Sequence, residues 1–465
     1  MMKWEELLCS DRPIKNEYES VGDLRSEFEK DYHRIIESSC FRRLQDKTQV
    51  FPLDKSDFIR TRLTHSLEVS SLGRSLGQNA AKIIMAENID PDMNEDVASK
   101  ICEVLQCAGL VHDIGNPPFG HFGEETIRDW FEKNLSSLNY NGRKVIEYLD
   151  EQETGDLLHF EGNAQGLRML SKLHFLGSRS GMNLTFSLLS AIIKYPVSSV
   201  EADKGSGDIK NHKPGYFKAE EDFFSKVCDA CGTGNFRNPM TFILEAADDI
   251  AYATADIEDA MKKGFLSYRT LFKELKKHNV SEDAVEKLRD RYEYMCMIDC
   301  DEPEESAVME WLEIMRDELI VSATRGFADN YHAIMNGSFD REIICDGRGK
   351  GILDALKRIA FDFAFVSKEI FRTEIAANTI LSYILDRMIP AVLQFDRDVP
   401  PGLMEEKYIT LIPERYMKVY YSATEHLSDE EKVYFRILLA TDFISSMTDS
   451  YARDLYEELN GYRLH

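Results

Sequence analysis

Apolar residues recur at helical spacing along most of the chain, and clear alternation with a period of two is scarce. The segment that leads to Gly77 predicts a helix that begins near Thr61 or Thr64, since a threonine hydroxyl can accept a hydrogen bond from a first-turn amide. We expect its apolar face to consist of Leu67, Leu72 and Leu76.

A second helix is predicted from Glu95 to about Gly115, where a glycine favours its end. The next residues include Pro117, Pro118 and Gly120, which predict a stiff turn that is not helical. The buried side of this helix is expected to carry Val97, Ile101, Val104, Leu105 and Ala108.

A third helix is predicted from Thr241 to Gly264, and it is rich in alanine and isoleucine. Asp248, Tyr252 and Asp256 recur at every fourth position, so they form a polar stripe along one face. Such a stripe on a solvated surface helix would be ordinary. On a helix this apolar, we expect it to face a polar cavity.

The chain is predicted to be all-α. At about 150 residues per domain its 465 residues could form two or three domains, but no linker divides them, and we expect one unit. From about Phe265 the sequence is charged and helix-patterned, and we expect it to pack on the same core. The exception to the helical pattern lies at Gly205 to Phe217, where we expect a short β-hairpin or a mobile loop.

Composition narrows the class of protein. The net charge is −26, from 82 acidic and 56 basic residues, which argues against broad nucleic-acid or membrane binding. The first residues carry charge without a long apolar run, and no stretch approaches the roughly 20 apolar residues of a membrane span. Nine scattered cysteines fit a reducing cytoplasm, and the single CxxC at Cys228 and Cys231 has no second pair. We therefore expect a cytoplasmic protein.

Two histidines and two aspartates form the strongest candidate site: His65, the adjacent pair His112 and Asp113, and Asp248. Two imidazoles and two carboxylates can close around one divalent ion, since imidazole suits Mn, Fe, Ni, Co or Zn and carboxylate allows Mg. With coordination positions left open, such an ion is typical of a hydrolytic site. Taken singly, His65 would more often be a core histidine, and a His-Asp pair would more often cap a helix.

Further chemistry flanks this set. His121 and Glu124 offer an imidazole and a carboxylate of the kind that proton transfer needs. Arg62 precedes His65 by three residues, so both project from one helix face, where a guanidinium can clamp phosphate.

The order of His, His-Asp and Asp on separate helices resembles the HD superfamily of metal-dependent phosphohydrolases. Longer motifs look like the bacterial deoxyguanosine triphosphate triphosphohydrolases, and they span nearly the whole chain. These motifs are FRRLQDKTQVFPL (41–53), RTRLTHSLEV (60–69), GLVHDIGNPPFGHFGE (109–124), HFEGNAQGLR (159–168), EAADDIAY (245–252) and MTDSYARDLY (447–456).

The resemblance implies an HD-type fold over residues 1–465, with a metal- and nucleotide-binding core at 41–264 and a C-terminal helical part at 265–465. It implies hydrolysis of a deoxynucleoside triphosphate at the α-phosphorus, with dGTP giving deoxyguanosine and triphosphate. The cofactor would be a divalent ion, Mg or Mn, with other transition metals left open.

Residue roles follow by position in the matching motifs. The metal ligands would be His65, His112, Asp113 and Asp248, and Asp113 would also belong to the catalytic set. His121 would be the catalytic histidine, with Glu124 orienting it or sharing its proton. The substrate-binding residues would be Arg62 for phosphate, Tyr252 at the sugar 2′ position, Asp256 for the 3′-hydroxyl, Gln49 and Asn163 for base and sugar-phosphate, and Lys194 and Lys218 for the triphosphate.

Two other readings stay open. One is a different HD phosphohydrolase, acting on nucleoside monophosphates or guanosine tetraphosphate, although the FEGNAQ motif and the pair Tyr252 and Asp256 argue against it. The other is a regulator that binds nucleotide or single-stranded nucleic acid without turnover. The resemblance also implies a homo-oligomer, tetrameric or hexameric, with a nucleotide or single-stranded DNA as effector.

Overall fold

The computed structural model describes residues 1–15, 22–51, 53, 59–176, 179–278 and 280–462, with the backbone alone at 175–176 and 179–180. Within these residues the all-α prediction is confirmed. The helices are α1 Trp4–Leu7, α2 Glu27–Glu37, α3 Ser39–Arg43, α4 Arg62–Ala86, α5 Glu95–Val111, α6 Gly120–Asn134, α7 Glu151–Leu158, α8 Gly162–Arg168, α9 Phe186–Ile192, α10 Glu221–Cys231, α11 Pro239–Lys262, α12 Tyr268–Lys277, α13 Glu282–Met297, α14 Pro303–Asp329, α15 Tyr331–Met335, α16 Gly347–Ala360, α17 Lys368–Val392, α18 Leu403–Ile409, α19 Glu414–Thr424, α20 Lys432–Ser445 and α21 Asp449–Leu459.

Extended structure is confined, in the described residues, to two antiparallel pairs of two-residue strands. They are β1 Asn139–Tyr140 with β2 Arg143–Lys144, and β3 Phe175–Leu176 with β4 Arg179–Ser180. Short 3-10 helices lie at Leu44–Asp46, Val145–Glu147, Ile209–Asn211 and Lys218–Glu220, and π-helical turns at Met169–Leu173 and Phe361–Phe365.

Helices α4 and α5 pack unusually closely because glycines line their contact. A Cβ on Gly109 would lie 2.5 Å from the backbone nitrogen of Ser70, and one on Gly77 would lie 2.5 Å from Leu105 Cδ1. Helix α4 begins as expected, with a capping box between Thr61 and Thr64. The close approach of the two backbones brings the start of α4 beside the end of α5.

The expected apolar face of α4 is wrong at one position, because Leu67 is 48% exposed. The buried face instead combines Val69 and Leu76 with Ser66, Ser70 and Gly73. Small residues replace large apolar ones because the neighbouring backbone leaves no room for a larger side chain.

The boundaries around the His-Asp pair also differ from the prediction. Helix α5 ends at Val111, and a turn runs from His112 to Gly115. Gly120, expected in a non-helical turn, is the first residue of α6, so His121 lies in a helical first turn. The chain reverses just before it through positive φ angles at Phe119 (64°) and Gly120 (60°).

No strand forms at Gly205 to Phe217, which the structure describes in full, so the hairpin expected there is wrong. Its centre is the 3-10 turn Ile209–Asn211, and the Ile209 amide donates to the Asp340 carbonyl at 3.0 Å. The Gly215 amide donates to the Val197 carbonyl at 3.0 Å, which holds the end of the segment beside residues 194–197. Hydrogen bonds to backbone outside the segment, at Asp340 and Val197, thus take the place of strand pairing within it.

Residues beyond 264 cover the helices that carry the predicted site. Helices α14 and α16 pack on α11, and α17 packs on α6, α20 and α21. One cluster of buried apolar side chains extends from Met2 to Leu455. All nine cysteines are free thiols. Among the described helices, none has both the length and the apolar character that a membrane crossing requires.

A buried carboxylate, Asp156 in α7, ties α7 to α20 and to the turn before α10. It accepts hydrogen bonds from Ser199 Oγ and Tyr434 Oη, each at 2.6 Å, and from the Lys218 amide at 2.7 Å. Burial, helped by nearby Glu220, raises the pKa of Asp156 to about 6 despite these donors. The folded chain therefore holds a proton on this carboxyl more tightly than an exposed aspartate would.

Asp156 should make the free energy of unfolding depend on pH in a defined window. Because its pKa rises from 3.8 to about 6 on folding, its contribution is full below pH 4 and is lost as the pH rises through 6. The loss is on the order of 2–3 kcal/mol. We expect the advantage in melting temperature of wild type over Asp156→Asn to be larger at pH 4.5 than at pH 7.5.

The matched control for this comparison is Asp222→Asn, which removes one exposed carboxylate from α10. The difference in melting temperature between Asp222→Asn and wild type should be nearly the same at pH 4.5 and at pH 7.5. If the difference in melting temperature between wild type and Asp156→Asn stayed constant, or grew towards pH 7.5, the raised pKa of Asp156 would be contradicted.

Candidate functional site

The four predicted metal ligands meet where α4, α5 and α11 pack together. His65 Nε2 lies 3.1 Å from Asp248 Oδ1, and His112 Nε2 lies 3.5 Å from the same oxygen. His112 Nε2 lies 3.7 Å from Asp113 Oδ1. One ligand atom each of His65, His112 and Asp113 falls within 4.8 Å of the others. Three segments that are far apart in sequence thus bring imidazole nitrogens and carboxylate oxygens close together.

The donor set fits a divalent metal ion. His112 Nδ1–H donates to the Gly109 carbonyl at 2.8 Å, which leaves Nε2 with its lone pair free for a ligand. Both His112 Nε2 and His65 Nδ1 are buried without a hydrogen-bond partner in the described part of the chain. Unpartnered buried imidazole nitrogens are costly, and coordination to a metal would satisfy His112 Nε2.

Each carboxylate of the set is held by a cation. Arg62 Nη1 donates to Asp113 Oδ2 at 2.7 Å, and Asn116 Nδ2 donates to Asp113 Oδ1 at 2.6 Å. Lys194 Nζ donates to Asp248 Oδ2 at 2.9 Å. These groups are largely buried, so their charges interact in a medium of low dielectric constant.

The electrostatics favour ionised carboxylates in this cluster. Burial alone would raise the pKa of Asp113, but Arg62 and His112 hold it well below its usual range. Burial likewise opposes ionisation of Asp248, and Lys194 with His112 lowers its pKa well below normal. Ionised oxygen ligands are the state that binds a divalent cation.

A second cluster surrounds His121. Its Nδ1 lies 3.2 Å from Glu124 Oε2, and the imidazole is 65% exposed while Glu124 is buried. The hydrogen bond that His121 Nδ1 donates to Glu124, and then the negative charge of Glu124, raises the pKa of His121. Glu124 Oε1 accepts the Gly162 amide at 3.0 Å, which fixes the carboxylate. An exposed imidazole on a fixed carboxylate can hold a proton and deliver it outwards.

Glu161, Lys213 and Arg128 extend this cluster. Lys213 Nζ donates to Glu161 Oε1 at 3.1 Å, and Arg128 Nη1 lies 3.8 Å from both Glu124 and Glu161. Burial, together with Glu124, raises the pKa of Glu161. The positive charge of Lys213 also lowers the pKa of Glu124. The Lys213 ammonium therefore belongs to the same group of interacting charges as Glu124 and His121.

The predicted stripe of α11 lines the other side of the site. The Tyr252 and His65 rings meet edge to face with centroids 5.5 Å apart. One turn further, Asp256 is buried, and its burial with Asp259 nearby raises its pKa well above normal. A rigid ring next to a polar carboxyl can shape a sugar pocket.

Two of the remaining predicted substrate residues lie near these clusters. The Gln49 side-chain amide is buried, and neither its oxygen nor its nitrogen has a hydrogen-bond partner among the described residues. Asn163 Nδ2 donates to Glu161 Oε1 at 2.9 Å, so it adjoins the His121 cluster. Buried amides without a partner are uncommon in folded proteins, and this one leaves a donor and an acceptor open to a ligand.

Lys218, the other predicted triphosphate lysine, lies elsewhere. Its Nζ is 2.9 Å from Glu221, and its amide donates to Asp156, with no described contact to either cluster. The lysine beside the site is Lys213, five residues earlier, which the sequence analysis did not select. Glu161 and Asn116 were also missed, although the quoted motifs contain both.

Comparison with known proteins finds relatives that match nearly the whole chain. The HD domain family model matches residues 62–159. A deoxyguanosinetriphosphate triphosphohydrolase-like protein of Listeria monocytogenes is 44% identical over 472 residues, covering 99% of this chain and 100% of its own. A protein of the same description from Synechocystis is 32% identical, with both chains fully covered. A deoxyguanosinetriphosphate triphosphohydrolase of Klebsiella pneumoniae is 32% identical, over 95% of each chain.

Removing the His112 imidazole should abolish stabilisation by metal. A ligand at 100 times its dissociation constant stabilises the folded state by about 2.7 kcal/mol, so MnCl2 should raise the melting temperature of wild type. We expect His112→Ala to lose this rise. Each variant is compared with itself without metal, which separates binding from any change in folding.

His426→Ala, which removes an exposed imidazole, is the matched control and should keep the rise. If His112→Ala were stabilised as much as wild type, the metal centre would not be at this cluster.

Proposed function

This chain belongs to the deoxyguanosinetriphosphate triphosphohydrolase family, and we propose that it hydrolyses deoxynucleoside triphosphates, dGTP foremost, to the deoxynucleoside and triphosphate. It is a metal-dependent hydrolase with an HD domain. The observation that carries the proposal is the exposed His121 imidazole on a buried Glu124, together with a metal-ligand set and the cations Arg62, Lys194 and Lys213. Proton donor, metal ligands and phosphate-binding charge occur together.

We propose Mg or Mn as the metal, held by His65, His112, Asp113 and Asp248. When bound, such an ion acidifies a coordinated water and neutralises phosphate oxygens. Arg62 and Asn116 hold Asp113 from the side, and Lys194 holds Asp248. The carboxylates of Asp113 and Asp248 therefore keep their orientation when the metal binds.

The triphosphate would be bound by Arg62, Lys194 and Lys213. A triphosphate carries several negative charges, and its transfer chemistry depends mainly on positioning and charge stabilisation. Each of the three side chains now pairs with a carboxylate, so each could exchange part of that contact for phosphate oxygen. We propose that Lys213 takes the role of triphosphate ligand that the motif comparison assigned to Lys218.

His121 would act as the general acid. Its Nδ1 faces Glu124, so its Nε2 is left for the substrate. Because Glu124 raises the pKa of His121, the imidazole holds its proton more firmly near neutral pH. We propose that Nε2 donates this proton to the leaving 5′-oxygen of the deoxynucleoside.

Sugar and base selection would involve α11 and Gln49. The rigid Tyr252 ring would occupy the space that a ribose 2′-hydroxyl needs, and would thereby exclude ribonucleotides. Asp256 would bind the 3′-hydroxyl. The unpartnered Gln49 amide offers both a donor and an acceptor to a base edge. A site that pairs with a substrate hydroxyl discriminates strongly against analogues that lack it.

The resemblance supports further proposals about organisation. We propose that residues 41–264 form the metal- and nucleotide-binding core and residues 265–465 a helical part that completes it. We also propose a cytoplasmic homo-oligomer, tetrameric or hexameric, with a nucleotide or single-stranded DNA as effector.

Product analysis tests the reaction directly. Purified protein with Mg or Mn is incubated with each deoxynucleoside triphosphate and with GTP, alone and as mixtures, and the products are separated by chromatography. We expect deoxyguanosine and tripolyphosphate from dGTP at the highest rate. Monophosphate with pyrophosphate, or no turnover in any mixture, would refute the proposal.

Lys213 and Lys218 provide a matched pair for the triphosphate site. Loss of a charged contact to phosphate costs about 1.4–2.8 kcal/mol, so Lys213→Ala should lower kcat/KM for dGTP about 10- to 100-fold. Lys218→Ala removes a surface ion pair and should change it less than about twofold. Steady-state kinetics on both variants measures kcat/KM for dGTP. Equal effects of the two substitutions would show that Lys213 does not bind the triphosphate.

A further inference from the structure

We infer that Asp449, the first residue of α21, is a positioning residue. It holds the segment that carries Gln49 and the segment that carries His121 at a fixed distance from each other. This inference rests on the proposed function for its catalytic consequences. Asp449 touches neither the metal ligands nor His121 in the described contacts; it acts through the backbone segments that carry them.

The Asp449 carboxylate is buried and binds two separate segments. Its Oδ1 accepts the Phe119 amide at 2.8 Å, and its Oδ2 accepts the Thr48 amide at 3.0 Å together with the Thr48 hydroxyl. Phe119 precedes His121 by two residues, and Thr48 precedes Gln49. One side chain thereby fixes the distance between the proposed general acid and the proposed base contact.

The Thr48 segment also reaches the start of α4. Thr48 pairs with Thr61 as an isolated antiparallel bridge, and the Arg62 amide donates to the Lys47 carbonyl at 2.9 Å. Arg62 in turn holds Asp113. Displacement of Thr48 would therefore be transmitted to the phosphate clamp as well as to Gln49.

Lys47 reinforces the same junction from the neighbouring position. Its Nζ donates to the Asn116 carbonyl at 2.5 Å and to the Ser445 carbonyl at 2.8 Å. Ser445 ends α20, four residues before Asp449, and the Asn116 side chain orients Asp113. Lys47 and Asp449 together join the loop between α5 and α6 to the last two helices.

The loop needs such a restraint because its backbone is strained. Phe119 is a non-glycine residue with φ of 64°, a conformation that side chains rarely adopt. A Cβ on Gly120 would lie 2.3 Å from Arg62 Nη2, so the loop runs directly against the guanidinium. A backbone that prefers another conformation, pressed against Arg62, stays in place only if its amide is held.

The test compares Asp449→Asn with Glu457→Gln, which removes a half-buried carboxylate eight residues later on α21. Asparagine keeps one acceptor oxygen, so it can serve only one of the two segments. Three measurements are made on the full-length protein: hydrogen exchange of peptides covering 47–51 and 117–123, Mn²⁺ affinity by calorimetry, and kcat and KM for dGTP and dATP.

For Asp449→Asn we expect exchange at least tenfold faster in the looser segment. We also expect kcat for dGTP to fall at least tenfold, with Mn²⁺ affinity within threefold of wild type. The ratio of kcat/KM for dGTP over dATP should fall if the Thr48 side is released. Glu457→Gln should match wild type in all three measurements.

Other outcomes overturn the inference. Unchanged exchange in both segments with unchanged kcat would show that Asp449 positions nothing. Loss of Mn²⁺ binding with uniformly faster exchange would show a general structural role.

If Asp449→Asn does not fold, Thr48→Val removes the hydroxyl, which donates to Asp449 and accepts the Leu53 amide at 3.3 Å, and leaves the bond from the Thr48 amide to Asp449. It should give the same pattern with about a threefold effect, and an unchanged pattern would count against the inference. If wild type turns over no nucleotide, the proposed function fails, and the exchange data alone still decide whether Asp449 restrains the two segments.

Discussion

Two ionised aspartates, the buried Asp113 and the half-buried Asp248, lie close to two imidazoles. The surrounding structure compensates their charges. Uncompensated charges in a protein interior cost several kcal/mol each, and paired charges survive only with good geometry and further hydrogen bonds. Arg62, Asn116 and Lys194 supply that compensation in the polypeptide itself. A divalent cation would supply the remainder, which is why these residues are best understood as one set.

That electrostatic constraint dictates how closely the helices approach. The imidazoles of His65 and His112 can share one point only because Gly109 lets α5 touch the α4 backbone. The turn after His112 is equally crowded, since a Cβ on Gly115 would lie 2.0 Å from the Gly162 carbonyl. The glycines therefore serve the chemistry indirectly, by setting distances that larger residues would not allow.

The sequence predicted the parts of the fold that depend on local periodicity and on motif order. The long helices, the Thr61 cap and the alignment of Asp248 with Tyr252 all follow from spacing along one segment. It failed where the answer depends on a neighbouring segment. Leu67 is exposed because α4 packs through small residues, and the 205–217 segment binds distant backbone instead of pairing with itself.

The same limit applies to the candidate site. The metal-ligand residues could be named from their order, but the choice between Lys213 and Lys218 could not, because it depends on which lysine faces Glu161. Asp449 was visible only as part of a motif. Its two partners are determined by tertiary contacts that no local pattern encodes.

The contact between Thr48 and Asp449 has a consequence for how the protein is made. The two residues are separated by 401 positions, which a ribosome translating about 5–20 residues per second covers in about 20–80 s. During that interval the early helices can emerge and pack, while the strained turn at Phe119 still lacks its acceptor. The nascent chain would thus carry metal-binding residues before it carries a finished catalytic loop. Activity would appear only after α21, which carries Asp449, has been translated.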